Sequence, residues 1–262
     1  LSSTISKIRR SFEELIIIIQ QKIKSMQSIK GKTALVTGGS KGIGYGIAKS
    51  LLEQGMNVAI TSRSQQAADE AADALAKFGH VIGIESDVRH FESEQNAVEK
   101  TIAEFGGLDV LIANAGLGHF APITDLTPQQ WNETIDVNLT GVFNSVKASL
   151  DELIKSKGYM ITIASLAGTN FFAQGAAYNA SKFGLVGFSQ AVMLDVRQHG
   201  VKVSTIMPGS VTSHFNNHEP NEKDAWKIQP EDIGQIVVDL LQMHPRTLPS
   251  KVEVRPSMPP QK

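Results

Sequence analysis

The sequence has no cysteine, almost no net charge and no long apolar run. Without cysteine there is no disulfide, no thiolate metal site and no cysteine nucleophile, and a reducing, cytoplasmic setting is permitted. A formal net charge of −1 gives bulk electrostatics no pull toward nucleic acid or an anionic membrane. No apolar stretch approaches the roughly 20 residues that cross a bilayer. The histidines are scattered and form no H-E-x-x-H pair. His214 and His218 could share a helical face, but Asn216 and Asn217 beside them point to a loop, so no metal is expected. At 262 residues the chain is long enough for one large domain or two small ones.

Residues 1–30 differ in pattern from the rest of the chain. Ile5, Ile8, Phe12, Leu15, Ile19, Ile23 and Met26 form an apolar stripe at near-heptad spacing, with Lys7, Arg9, Arg10, Lys22 and Lys24 off it. The run Leu15–Ile19 is short for a secretory signal, and no small-residue cleavage site comes after it. The stretch reads as an amphipathic extension, or as upstream sequence ahead of a functional start near Met26. A membrane-surface or partner helix is the alternative.

From Lys32 onward, strand and helix patterns alternate. Short apolar runs at 33–37, 57–62, 81–86, 110–114, 159–164, 201–207 and 251–254 read as strands, most of them buried on both faces. Crossover helices are expected over 42–54, 65–78, 91–105, 127–157, 175–199 and 230–242. Thr127 followed by Pro128 reads as a helix cap with proline at the first helical position. This alternation specifies an α/β fold, a doubly wound parallel sheet of about seven strands, in one domain over 31–262. In such sheets ligands bind at the carboxyl ends of the strands, near the point where strand order reverses.

The first strand runs into Thr37-Gly-Gly-Ser-Lys-Gly-Ile-Gly44, and a helix comes next. Glycines allow positive φ and close approach of a ligand, and a helix start offers free N–H groups and positive dipole. Together they can seat a pyrophosphate. Tyr178 and Lys182 lie four apart, on one face of a helix. A phenol is a poor acid–base group unless its pKa is brought down, and a nearby ammonium does that. Ser165 ends a strand at a carboxyl end, where its hydroxyl could donate to a carbonyl or simply cap a turn. A serine hydrolase is disfavoured, because no G-x-S-x-G elbow surrounds it. Asn138 falls mid-helix, either facing solvent or in a polar role.

Taken in order, Thr37–Gly44, Asp87-Val88, Asn114-Ala-Gly116, Asn138, Ser165, Tyr178/Lys182 and Pro208-Gly209 resemble the short-chain dehydrogenase/reductase family over about residues 30–256. The resemblance implies a Rossmann-type fold and an NAD(P)-dependent oxidoreductase acting on a small carbonyl or alcohol compound. It implies that Tyr178 transfers the proton, and that Lys182 tunes Tyr178 and holds the nicotinamide ribose. Ser165 would polarise the carbonyl, and Asn138 would anchor a water chain. It places the cofactor along Gly38, Ser40, Lys41, Gly42, Ile43 and Gly44, then Ser62 and Arg63, Asp87 and Val88 at the adenine, Asn114, Ala115 and Gly116, and finally Pro208, Gly209, Val211 and Ser213. A homodimer or homotetramer is expected.

Charge decides between cofactors. An acid at the end of the second strand would favour NAD, whereas Ile60-Thr-Ser-Arg-Ser64 has none. Arg63 can fork onto a 2′-phosphate and Lys41 adds a second cation, so NADP(H) is preferred over NAD(H). The family often has threonine four residues after the Pro-Gly glycine; here Ser213 stands there, with Thr212 one residue earlier. The chain also lacks the glycine-pair tail common in chains resembling 3-oxoacyl-acyl carrier protein reductases, which points toward general carbonyl and 3-hydroxy-acid reductases. That carrier-protein reductase activity, an NAD-dependent alcohol dehydrogenase and a non-catalytic dinucleotide sensor are the alternatives. Leu117, His119, Phe120, Phe171, Phe172 and Phe215 fall in loops expected around the nicotinamide.

Overall fold

The computed structural model describes residues 27–213, 215 and 218–258. The stripe from Ile5 to Met26, and His214, lie outside them. Seven strands form one parallel sheet: β1 (Thr33–Val36), β2 (Asn57–Ser62), β3 (Val81–Glu85), β4 (Val110–Ala113), β5 (Tyr159–Ile163), β6 (Lys202–Pro208) and β7 (Lys251–Val254). Their spatial order is β3-β2-β1-β4-β5-β6-β7. The helices are α1 (Gly42–Glu53), α2 (Gln65–Leu75), α3 (Phe91–Phe105), α4 (Pro128–Ile135), α5 (Gly141–Ser156), α6 (Ala176–Val196) and α7 (Pro230–Gln242).

Side chains of a strand alternate between faces, so a sheet covered twice makes two cores. Ala34 and Val36 of β1 join one core with Ile47 and Leu51 of α1 and Ile233 and Val237 of α7. Leu35, between them, joins the other with Val98 of α3, Val142 and Val146 of α5 and Leu185 of α6. Strand order reverses between β1 and β4, which pair in parallel at Leu35 and Leu111. The glycine turn after β1 and the Asn114-Ala-Gly116 segment after β4 therefore leave the sheet side by side.

Two expectations change. The packed domain reaches behind residue 31: Ile29 is buried in the first core, and the Gln27 N–H donates to the Gln242 carbonyl. The helix expected over 127–157 is interrupted. Thr127 caps α4, accepting from the Gln130 N–H while the Gln130 side chain accepts from the Thr127 N–H, but Asp136–Thr140 is a π-helical segment before α5 begins. One extra residue per turn there shifts the side chains beyond it, and such bulges often mark functional positions.

Among the described residues, no helix is long and apolar enough to cross a membrane, and no cluster of His, Asp or Glu could hold a metal ion.

Candidate active site

The glycine turn is a space that side chains cannot occupy. Gly38 and Gly42 adopt φ of 64° and 58°. A Cβ on Gly38 would stand 3.0 Å from the Ala115 Cα, and one on Gly44 would stand 2.4 Å from the Gly38 carbonyl oxygen and 2.5 Å from Asn114 Nδ2. Thr37 and Asn114 hold this arrangement. The Thr37 hydroxyl accepts from the N–H groups of Asn114 (3.0 Å) and Ala115 (3.1 Å). Asn114 Nδ2 donates to the carbonyls of Thr37 (2.9 Å) and Gly38 (3.1 Å). Asn114 thus acts as a brace. Thr37 is its equal partner, and the glycine motif that it opens in the sequence gives no sign of that role. The turn feeds α1, whose first N–H groups and dipole face the same space. A pyrophosphate fits a cradle whose walls a Cβ would fill, and Ile43 lies partly buried within it.

At the end of β2, the Ser62 and Ser40 hydroxyls lie 3.4 Å apart. Arg63 and Lys41 are exposed, and their side chains make no ion pair or hydrogen bond among the described residues. At the end of β3, the Asp87 carboxylate is already engaged by the Arg89 guanidinium, Nε at 2.9 Å and Nη2 at 2.5 Å, which holds its pKa below the ordinary carboxylate value. Val88 is buried, with its carbonyl accepting from Asn144 Nδ2. Thr212 and Ser213 separate clearly. Thr212 is buried and its hydroxyl is tied to the Asp224 carbonyl and Gln229 Nε2. Ser213 lies beside Gly42, where an added Cβ would stand 3.4 Å from the Ser213 Cβ, and both line a cavity of ≈ 240 Å³ that Thr212 also borders, while Val211 bridges to Ile228. Gly209 is fixed beside Pro208 by its N–H to the Val254 carbonyl.

The catalytic candidates meet at the carboxyl ends of β4, β5 and β6. Ser165 follows β5; its Oγ accepts from the Ala167 N–H at 3.1 Å, donates to the Pro208 carbonyl at 3.5 Å and stands beside the Tyr178 phenol. Tyr178 and Lys182 sit in the first two turns of α6, with Lys182 Nζ 5.7 Å from the Tyr178 ring centre. Lys182 is buried, and Nζ donates to the Ile163 carbonyl at 3.1 Å. Gly116 keeps this wall open: a Cβ there would lie 3.3 Å from Asn138 Oδ1 and 3.7 Å from Lys182 Nζ.

The electrostatics differ from expectation. Burial raises the Tyr178 pKa above its ordinary value near 10, and the neighbouring Ser165 hydroxyl only partly opposes this. Burial also pulls Lys182 down from 10.5 to about 8. The Lys182 ammonium is engaged by the Ile163 carbonyl, and in the ligand-free site burial is the largest influence on the phenol. The structure therefore holds a protonated phenol next to a hydroxyl.

Asn138 is fully buried in the π-helical segment. Its Oδ1 accepts from the Leu117 N–H (2.8 Å), and its Nδ2 donates to the Leu117 carbonyl (2.8 Å) and to Ser181 Oγ (3.0 Å). The side chain fastens the post-β4 loop to α6. Ser181, between Tyr178 and Lys182, is the second residue the sequence did not flag. Of the loop residues, His119 turns to Glu133 (2.9 Å) and Phe171 is 85% exposed, whereas Phe120 and Phe215 approach Tyr178 with ring centres 5.4 and 5.6 Å away.

A model of the short-chain dehydrogenase family matches residues 32–224. A D-beta-hydroxybutyrate dehydrogenase from Cupriavidus necator is 38% identical over 185 residues, 70% of this chain and 72% of that one. A 3-oxoacyl-[acyl-carrier-protein] reductase from Salmonella typhimurium is 37% identical over 210 residues, 80% of this chain and 85% of that one. Among solved structures, an alcohol dehydrogenase from Thermococcus sibiricus complexed with 5-hydroxy-NADP superposes with a TM-score of 0.82 at 28% identity, covering 88% of this chain and 99% of that one. A metagenomic short-chain oxidoreductase in complex with NADP gives 0.77 at 34% identity, covering 89% of this chain and all of that one. The chain belongs to the short-chain dehydrogenase/reductase family. It is an oxidoreductase of that family.

Proposed function

We propose that this oxidoreductase is an NADPH-dependent carbonyl reductase that converts a ketone or 3-oxo compound to an alcohol. The observation that carries the reading is the Tyr178–Ser165 pair at the carboxyl end of β5: a phenol kept protonated by burial, beside a hydroxyl. Two neutral donors suit a carbonyl oxygen that gains negative charge as it is reduced. When bound, the nicotinamide cofactor supplies the hydride. Ser165 orients and polarises the carbonyl, and Tyr178 delivers the proton to its oxygen. Lys182 holds the ribose hydroxyls and stabilises the phenolate once the proton has left. Asn138 secures the loop that closes the site. In alcohol oxidation Tyr178 runs in reverse as the base.

NADPH over NADH is supported by Arg63 and Lys41, two cations with no partner among the described residues, and by the NADP-bound neighbours. A homodimer or homotetramer is supported by Phe143 on α5 and by Phe183 and Leu194 on α6, all more than 40% exposed. A cytoplasmic location agrees with the absence of cysteine.

NADPH loss against a panel of ketones, 3-oxo esters, quinones and aldehydes tests the reaction. Silence across the panel with tight NADPH binding would replace it by dinucleotide sensing. For the cofactor, binary titration should show NADPH bound more tightly than NADH. Arg63→Glu should weaken NADPH by about 1.5–3 kcal/mol, or one to two decades of Kd. Equal affinities in the unaltered protein would point instead to an NAD-dependent alcohol dehydrogenase.

A further inference from the structure

We propose that Phe120, Phe172 and Phe215 form an aromatic box against Tyr178 that admits ketones carrying a flat apolar group and turns away 3-oxo carboxylates. The proposal rests on the carbonyl-reductase reading and names its substrate class.

Phe120 is the hub. Its ring centre lies 5.4 Å from that of Tyr178, 5.9 Å from Phe172 and 6.2 Å from Phe215, all inclined rather than parallel. Phe215 closes the far side at 5.6 Å from Tyr178. The three phenylalanines come from three separate loops, after β4, β5 and β6, and so from the carboxyl ends of adjacent strands. They are not a core: Phe172 is 49% and Phe215 37% exposed. Rings clustered at the proton donor with open edges offer a ligand face-to-face and edge-to-face contacts at little cost in side-chain entropy.

Two glycines make the cluster possible. A Cβ on Gly118 would fall 2.8 Å from the tip carbons of both Phe120 and Phe215. One on Gly175 would fall 2.6 Å from Phe172 Cε2. The backbone has been cleared where the rings converge.

Charge points the same way. No lysine or arginine occurs in residues 115–123, 165–178 or 209–219. Lys182 is buried and bonded to the Ile163 carbonyl, and His119 is held by the Glu133 carboxylate. His218 is likewise held by the Asp224 carboxylate, so among the described residues a substrate carboxylate in the box would meet the negative faces of aromatic rings and lose its hydration without a free cation.

The test compares kcat/KM at saturating NADPH for acetophenone, butanone and acetoacetate. Acetophenone should exceed butanone by about tenfold or more, and acetoacetate should be the poorest of the three. Phe120→Ala and Phe215→Ala should each lower kcat/KM for acetophenone about tenfold and change that for butanone less than about threefold, with the Kd for NADPH unaltered. Gly118→Ala guards against misfolding, because it displaces only ring tips; the acetophenone-to-butanone ratio should collapse with Tm nearly unchanged. Acetoacetate equal to or better than acetophenone, or equal losses on both ketones in the variants, would overturn the box. Should no ketone consume NADPH, the reductase reading fails separately. Ligand-observed saturation transfer on the NADP⁺-saturated protein then decides the box: acetophenone signal lost in the Phe120→Ala/Phe215→Ala protein supports it, and no signal in the unaltered protein overturns it.

Discussion

The glycine seat and the Tyr178 corner lie on the same edge of the sheet and are built on opposite principles. The seat is made by removing side chains. Its specificity is steric, and a misplaced methyl group would strike a backbone oxygen at 2.4 Å. The corner is made by burying side chains that would ordinarily be charged or hydrated. Its character is electrostatic, with Lys182 brought to about 8 and Tyr178 raised by burial. A binding surface for a polyanion can be rigid backbone; a proton donor needs an environment that sets its pKa.

Replacing Tyr178 gives the largest effect. Tyr178→Phe should lower turnover by about 10²–10⁴ while NADPH still binds, because the seat is untouched. Lys182→Ala should cut turnover and also weaken NADPH. The double variant should fall near the worse single one, since groups acting as a unit do not add. Losses that multiply, measured by steady-state kinetics, would break the pairing. Phenolate absorbance, as the difference between the unaltered protein and Tyr178→Phe, should show Tyr178 of the ligand-free protein ionising above the ordinary value near 10. Ionisation below 10 would restore the tuning expected from the sequence.

Gly44→Ala attacks the seat. Forcing a methyl against the Gly38 carbonyl and Asn114 should cost about 1–3 kcal/mol of stability and remove NADPH binding. Gly107→Ala is the control, because a Cβ there meets nothing within 4 Å. Its Tm should move little.

The smallest effect is the most discriminating. A buried ammonium destabilises the ligand-free fold, so Lys182→Met should leave stability at pH 7 unchanged or raise it by about 1–2 kcal/mol, after the loss of the bond to the Ile163 carbonyl is counted. The sign comes from the protons bound. Between about pH 8 and 10.5 the unfolded lysine is protonated and the folded one is not, so stability rises with pH across that window. Urea unfolding at pH 7 and pH 9.5 should show the unaltered protein gaining on Lys182→Met. Destabilisation of several kcal/mol at pH 7 would show that Lys182 holds the fold together rather than charging the site.

The same contrast explains what the sequence made legible. Steric requirements leave residue-type signatures: the glycines stand where a Cβ would strike backbone, apolar runs located seven strands, and α3 and α7 begin and end where their patterns did. Electrostatic environments leave none. Lys182 carries no mark of its burial in the sequence, and Asn138 looks the same there whether solvated or clamped to Leu117. The π-helical segment was invisible because the apolar period reads smoothly through it. The roles of Thr37 and Ser181 were hidden for a related reason: each is a small hydroxyl residue whose importance lies in partners distant in the chain.

The Thr37–Asn114 brace also sets an order of events at the ribosome. The bond joins residues 77 apart, whereas β1, β2 and β3 need only one another and are complete at Glu85. At roughly 5–20 residues per second, β4 follows Thr37 into existence after roughly 4–15 s. Until then β1, which will be central, is an unpaired edge of apolar residues, the kind of surface on which nascent chains stick to one another. The nascent half-sheet therefore passes through an interval in which its future central strand, paired to β2 on one side, is open on the other.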